Sequence, residues 1–189
     1  MADRWYCGPM ERVLTIPGLW NSGPEHWQTH WERERGDTRR VLQEEWERPR
    51  RADWVARIRA ELRALQAPVV LAAHSLGCCT VAHLARDAAA SELERIRGAL
   101  LVAPSDVEAP SYPQGTEGFK PMPLARFSFP TIVAGSGNDE YVSPERARFF
   151  AAKWGARYVD MGPRGHLNSA SNLGLWPEGQ ALLEELLRG

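Results

Sequence analysis

Apolar residues along this chain fall into two kinds of run: short unbroken stretches, and longer stretches with a helical period. Residues 69–73 (VVLAA), 98–103 (GALLVA) and 130–135 (PTIVAG) are continuously apolar, too short for helices and flanked by turn-forming residues. Such runs predict strands buried on both faces. Residues 12–16 and 157–160 read as further strands, and 38–43 as one more, preceded by the Gly36-Asp37 break. Between them lie helical patterns. Over 53–65, Trp54, Val55, Ile58, Leu62 and Leu65 share one face, with Arg57, Arg59, Glu61 and Arg63 mostly outside it. Helices are also predicted over 25–35, from 78 to about 90, over 143–154 and over 178–187. Ser143 is the N-cap of its helix, with Pro144 in the first position. Strands alternating with helices, the central strands apolar throughout, predict an α/β fold. The expected architecture is a three-layer, doubly wound sheet of about six mainly parallel strands.

Two segments depart from this pattern. Residues 1–11 read as a polar N-terminal extension, leaving 12–189 as a single domain with no internal repeat. Residues 104–129 hold five prolines and no helical period. A loop this long in a compact domain is usually functional, so it is expected to stay out of the core and to form part of a rim at the strand carboxyl ends.

Composition narrows the function. The charges nearly cancel, 23 Lys+Arg against 24 Asp+Glu, and they are interleaved, so no basic face for nucleic acid is expected. No apolar run approaches the length of a membrane helix, and the N-terminal residues show no signal-peptide pattern, so a cytoplasmic protein is expected. Three cysteines, Cys7, Cys78 and Cys79, form no spaced framework for disulfides. Cys78 and Cys79 read as small packing residues rather than nucleophiles.

The candidate chemistry lies in residues 68–80, PVVLAAHSLGCCT. A buried strand, a sharp turn with Ser75 at its tip, and then a helix is the context of a nucleophile elbow. The residues two before and two after the serine must be small, and they are Ala73 and Gly77. A serine hydroxyl needs a base, and the base needs an acid to fix its tautomer. Of five histidines, only His166 comes late in the chain, on a loop after the last strand. Asp139, just after the fifth strand, is the expected acid; Asp106 and Asp160 are the rivals. The oxyanion donors are expected to be the backbone N–H groups of Leu76, next to the serine, and Leu19, in the loop after strand one. Trp20, Asn21 and His74 are candidate substrate-binding residues. His26, His30 and Glu34 are spaced four apart on one helix face, but Trp27 and Trp31 interleave with them and no further ligand is recognisable. No metal and no cofactor are expected.

These motifs together resemble the small serine-hydrolase family of the α/β-hydrolase superfamily, the group of retinoblastoma-binding protein nine and the bacterial YdeN-type proteins. The resemblance rests on Pro17-Gly18 with Asn21-Ser22-Gly23 and His26-Trp27; on Ala72-Ala73-His74-Ser75-Leu76-Gly77; on Ser136-Gly137-Asn138-Asp139; and on Gly165-His166-Leu167-Asn168 running to Gly174-Leu175-Trp176-Pro177-Glu178-Gly179. It implies a compact α/β-hydrolase fold with Ser75 as nucleophile, Asp139 as acid and His166 as base. Glu140 departs from the pattern, since bacterial relatives usually carry proline there. The expected activity is a carboxylesterase acting on small, short-acyl esters, because no segment is large enough for a lid domain. An acyltransferase using the same three residues is one alternative. The other is a protein-binding module, although the nearest string to the Leu-x-Cys-x-Glu motif, Leu76-Gly77-Cys78-Cys79-Thr80, lacks the glutamate. No protein partner can be named from the sequence.

Overall fold

The computed structural model describes residues 11–189; apart from Glu11, the extension predicted over 1–11 lies outside them. Six strands are present: β1 (Val13–Ile16), β2 (Thr38–Arg40), β3 (Val69–His74), β4 (Ile96–Val102), β5 (Thr131–Gly135) and β6 (Arg157–Asp160). They form one sheet in the order β2-β1-β3-β4-β5-β6, and every neighbouring pair is parallel rather than mainly so. The strand order reverses between β1 and β3, which opens a crevice at their carboxyl ends. Successive side chains on a strand point to opposite faces, so each central strand feeds two cores. Leu14, Ile16, Leu71, Ala73, Leu101 and Val133 face one side, where Trp54, Ile58 and Leu62 of α2 (Arg51–Ala64) pack. Helices α3 (Leu76–Asp87) and α5 (Pro144–Trp154) cover the same side. Val13, Val70, Ala72, Leu100, Val102 and Ala134 face the other. There they meet Trp27 and Trp31 of α1 (Trp27–Glu34) and Leu183, Leu186 and Leu187 of α6 (Pro177–Arg188).

Local signals set several boundaries. Helix α5 starts as predicted: Ser143 Oγ accepts the Arg146 N–H at 3.2 Å, Pro144 occupies the first turn, and left-handed Gly155 ends the helix. The elbow helix α3 ends at Asp87, earlier than the predicted Ala90. Residues Ala90–Leu93 form a separate short helix, α4, where the Glu92 carboxylate accepts the Ala89 N–H.

One expectation is corrected. The segment 104–129 has no helix or strand of its own, as predicted, but it is not excluded from the core. Val107, Tyr112, Phe119, Met122, Phe127 and Phe129 are all buried in the core on the α2/α3/α5 side. Phe127 stacks on Trp154, whose Nε1–H donates to the Pro123 carbonyl at 2.8 Å. Apolar side chains spaced without a period are drawn in by tertiary contacts, and the backbone polar groups find partners outside any ladder. The Glu117 N–H, for example, donates to Pro49 O.

Candidate active site

Ser75 lies between β3 and α3 with φ 54° and ψ −122°, a conformation that L-residues rarely adopt. The turn is possible because neighbouring backbone passes very close to it. A Cβ on Gly77 would lie 2.3 Å from the Ile16 carbonyl oxygen, and a Cβ on Gly18 would lie 2.7 Å from Ser75 Cβ. Glycine at both positions lets the loop after β1 run directly across the elbow. This crossing brings Leu19 into the wall of the cavity that also exposes Ser75.

His166 comes from the loop after β6. Its Nε2 is 2.9 Å from Ser75 Oγ, and its Nδ1 is 2.8 Å from both carboxylate oxygens of Asp139. An ionised carboxylate only accepts, so Nδ1 carries the proton, Nε2 is bare, and Ser75 O–H donates to it. The Asp139 side chain is fully buried and also accepts the Tyr141 N–H at 2.8 Å, a turn that forms with Glu140 in place. The loop that carries Asp139 holds the loop that carries His166. Ser136 Oγ donates to Gly162 O and accepts the Arg164 N–H, and Asn138 Oδ1 accepts the Gly165 N–H. Beneath His166, the indole N–H of Trp27 donates to Leu167 O at 3.0 Å. Trp27 and Trp31 are thus core residues, as their spacing predicts, and Trp27 also tethers the His166 loop.

The rival acids are occupied elsewhere. Asp106 is paired with the Arg146 guanidinium, and Asp160 accepts from Arg148 and from the Gly162 N–H. His83 is directed to the Phe119 carbonyl and makes no contact with Ser75. Burial pushes the Cys78 and Cys79 thiols up, away from thiolate formation. His26 is the N-cap of α1, its Nδ1 accepting the Gln28 N–H, and His30 faces Glu25. Among the described residues no group of three or more His, Cys, Asp or Glu is arranged to hold a metal ion.

Leu76 is the first residue of α3, so its N–H has no helical acceptor. Among the described residues neither its N–H nor that of Leu19 has an intramolecular partner, whereas the flanking Trp20 and Asn21 N–H groups donate to Trp46 O and Gly18 O. Arg40 at the end of β2 anchors this loop, donating to Asn21 Oδ1 and Ser22 O. The cavity over Ser75 holds about 330 Å³ and is lined by Trp20, His26, His74, Tyr112, Tyr141 and Ala170, among others. Trp20 stands 57% exposed at its mouth. Asn21 lines it too, but its Oδ1 is engaged by Arg40 and the Ser22 N–H. His74 Nε2 donates to the His166 carbonyl at 2.9 Å, so this side chain both lines the cavity and holds the His166 loop. Burial, with the neighbouring His26 and His166, pushes the His74 imidazolium well down, so the ring is neutral.

Two neighbours of Ser75 and His166 carry no signal of their own in the sequence. Tyr141 packs its ring against His166, centroids 4.5 Å apart. Ser105 Oγ is 2.8 Å from Ser75 Oγ. Ser105 follows the carboxyl end of β4, a position that favours a site residue in a parallel sheet, and in the sequence it is masked by the adjacent Asp106.

Comparison with known proteins identifies the family and the fold. The family model described as serine hydrolase matches residues 13–185. A YdeN-like hydrolase from Pectobacterium atrosepticum is 32% identical, with 95% of this chain and 91% of that one covered and a TM-score of 0.81. The ydeN gene product from B. subtilis shares 18% identity over 95% of this chain and 100% of that one, with a TM-score of 0.75. Est1E from Butyrivibrio proteoclasticus shares the fold at 12% identity, 96% and 90% coverage and a TM-score of 0.70. No curated protein sequence matches significantly. With the family model spanning nearly the whole chain, and a relative of this identity alongside it, the protein belongs to the serine hydrolase family and has the α/β-hydrolase fold.

Proposed function

We propose that the protein is a carboxylesterase for small esters, working through Ser75, His166 and Asp139. The observation that carries this reading is the unbroken hydrogen-bonded line from Asp139 through His166 to Ser75 at the base of a cavity. Ser75 Oγ attacks the ester carbonyl while its proton passes to His166 Nε2. The oxyanion is met by the Leu19 and Leu76 N–H groups. The carbon–alkoxy bond then breaks, and His166 returns the proton to the leaving alcohol. Water repeats the sequence on the acyl-enzyme: its oxygen bonds to the carbonyl carbon, its proton goes to His166, and the bond to Ser75 Oγ breaks as that oxygen regains a proton. Asp139, buried and acceptor-only, keeps the imidazole in the required tautomer and stabilises its charged form.

A cavity of about 330 Å³ favours short acyl groups, since it lies at the small end of ligand sites. Among the described residues no helix or strand is inserted over it between β4 and β5. A non-catalytic binding role through residues 76–80 is disfavoured because all five residues are buried.

Intact-mass spectrometry after fluorophosphonate treatment tests the reading. One adduct is expected on the native protein and none on Ser75→Ala, with labelling of His166→Ala slowed by at least about a thousandfold. Hydrolysis of p-nitrophenyl acetate should exceed that of the laurate. A folded native protein that takes no adduct, or faster laurate cleavage, would count against the mechanism or the substrate class respectively.

A further inference from the structure

Ser75 Oγ has a second partner besides the histidine. Ser105 Oγ lies 2.8 Å away, fully buried, on the side of β3 opposite the loop that carries Leu19. Proton counting fixes the direction of this bond. The Ser75 proton is already directed to bare His166 Nε2, so Ser105 must be the donor and Ser75 Oγ the acceptor. The backbone keeps Ser105 in place. Ala103 leaves β4 with φ 49°, which turns the chain back toward the elbow. The Ser105 carbonyl accepts from the Val107 N–H at 3.2 Å and from Cys79 Sγ at 3.4 Å. The Ser75 N–H donates to Val102 O, tying the nucleophile to the same strand end.

We propose that Ser105 is a further catalytic residue, whose hydroxyl stabilises Ser75 Oγ as the leaving group when the acyl-enzyme is hydrolysed. The inference rests on the reading of Ser75 as nucleophile. In the free enzyme Ser75 Oγ is a good acceptor, so the Ser105 bond is made before acylation and contributes little to its barrier. In the acyl-enzyme the same oxygen is an ester oxygen with delocalised lone pairs, a poor acceptor. As water attacks and the bond from the carbonyl carbon to Oγ breaks, negative charge returns to Oγ. The Ser105 O–H then strengthens its bond to it while His166 supplies the proton. Ser105 keeps its own proton throughout. An interaction made in the transition state but weak in the preceding state lowers that barrier alone.

The effect should therefore be unequal between the two half-reactions. In Ser105→Ala, p-nitrophenyl acetate turnover should show kcat and KM falling together, each by about tenfold, with kcat/KM falling far less. A burst of p-nitrophenol approaching one equivalent per protein, larger than the native burst, should precede the steady state, and mass spectrometry should show the accumulated acetyl-enzyme. The fluorophosphonate labelling rate, which reports attack alone, should stay close to native. The isosteric Ser105→Cys, with a weak donor, should shift the same way and covers the case in which the alanine variant does not fold. Native-like kcat and burst in either folded variant would overturn the proposal. So would a fall in kcat/KM and labelling rate with no burst, the signature of a residue that merely positions the elbow. If the native protein neither takes the label at Ser75 nor cleaves the ester, the nucleophile assignment itself fails, an outcome distinct from both.

Discussion

The left-handed backbone of Ser75 costs roughly 1–3 kcal/mol, and it persists because its surroundings leave no alternative. Gly18 is the residue most exposed to this constraint. A methyl group there would sit 2.7 Å from Ser75 Cβ and 3.1 Å from both Ser75 Oγ and the His74 carbonyl oxygen, inside ordinary contact distance. Either the loop after β1 or Ser75 must shift, and under the proposed mechanism both movements spoil the attack geometry. Gly18→Ala is expected to lower kcat/KM by about a hundredfold while the protein still folds. Ester turnover and a thermal melt measured side by side would check this, and native turnover would mean that the loop has slack the packing does not suggest.

At the scale of elements, α1 and the stretch from His166 to α6 behave as one assembly. Trp27 and Trp31 donate to Leu167 O and Leu175 O, and both rings pack against Trp176. Gly179, in the first turn of α6, lies under the Trp176 ring, where a Cβ would be 2.1 Å from Cε3. Alanine normally favours a helix over glycine by about 1 kcal/mol, but here overpacking against a fully buried indole dominates. Gly179→Ala should destabilise the protein by roughly 1–3 kcal/mol in urea denaturation; a stabilised variant would show that Trp176 can move aside freely. Elements with local signals were legible in the sequence: the Ser143-Pro144 start of α5, the apolar runs of β3 to β5, and the glycines around the elbow. So was the convergence of Ser75, Asp139 and His166 at the strand carboxyl ends. The fate of 104–129 was not, because Phe119, Met122, Phe127 and Phe129 follow no period and are buried only by distant partners. Ser105 was hidden for a related reason: its meaning depends on what lies opposite it across the β3–β4 pair.

For the whole molecule, buried neutral imidazoles set an acid limit. Burial, then Arg40, His166 and His30, push His26 down to about 3, and burial likewise pushes His74 and His83 down from 6.5. Below pH 6.5 the unfolded chain takes up protons that the folded rings refuse, so stability is full above that value and is lost as the pH falls toward 3. His26 and His74 each add a slope of up to about 1.4 kcal/mol per pH unit. Urea midpoints measured from about pH 7.5 down to about pH 5.5, above the range of most carboxylates, should hold nearly level to about pH 6.5 and fall below it; a flat profile throughout would mean that these rings carry charge in the folded protein. The buried anchoring of 104–129 has a consequence for how such a protein can diversify. The segment that reaches the cavity through Tyr112 and Pro113 is also a structural member, so it cannot be exchanged as a cassette without losing part of the core. New substrate preferences on this scaffold are therefore accessible by single changes at the residues facing the cavity, and not by loop grafting.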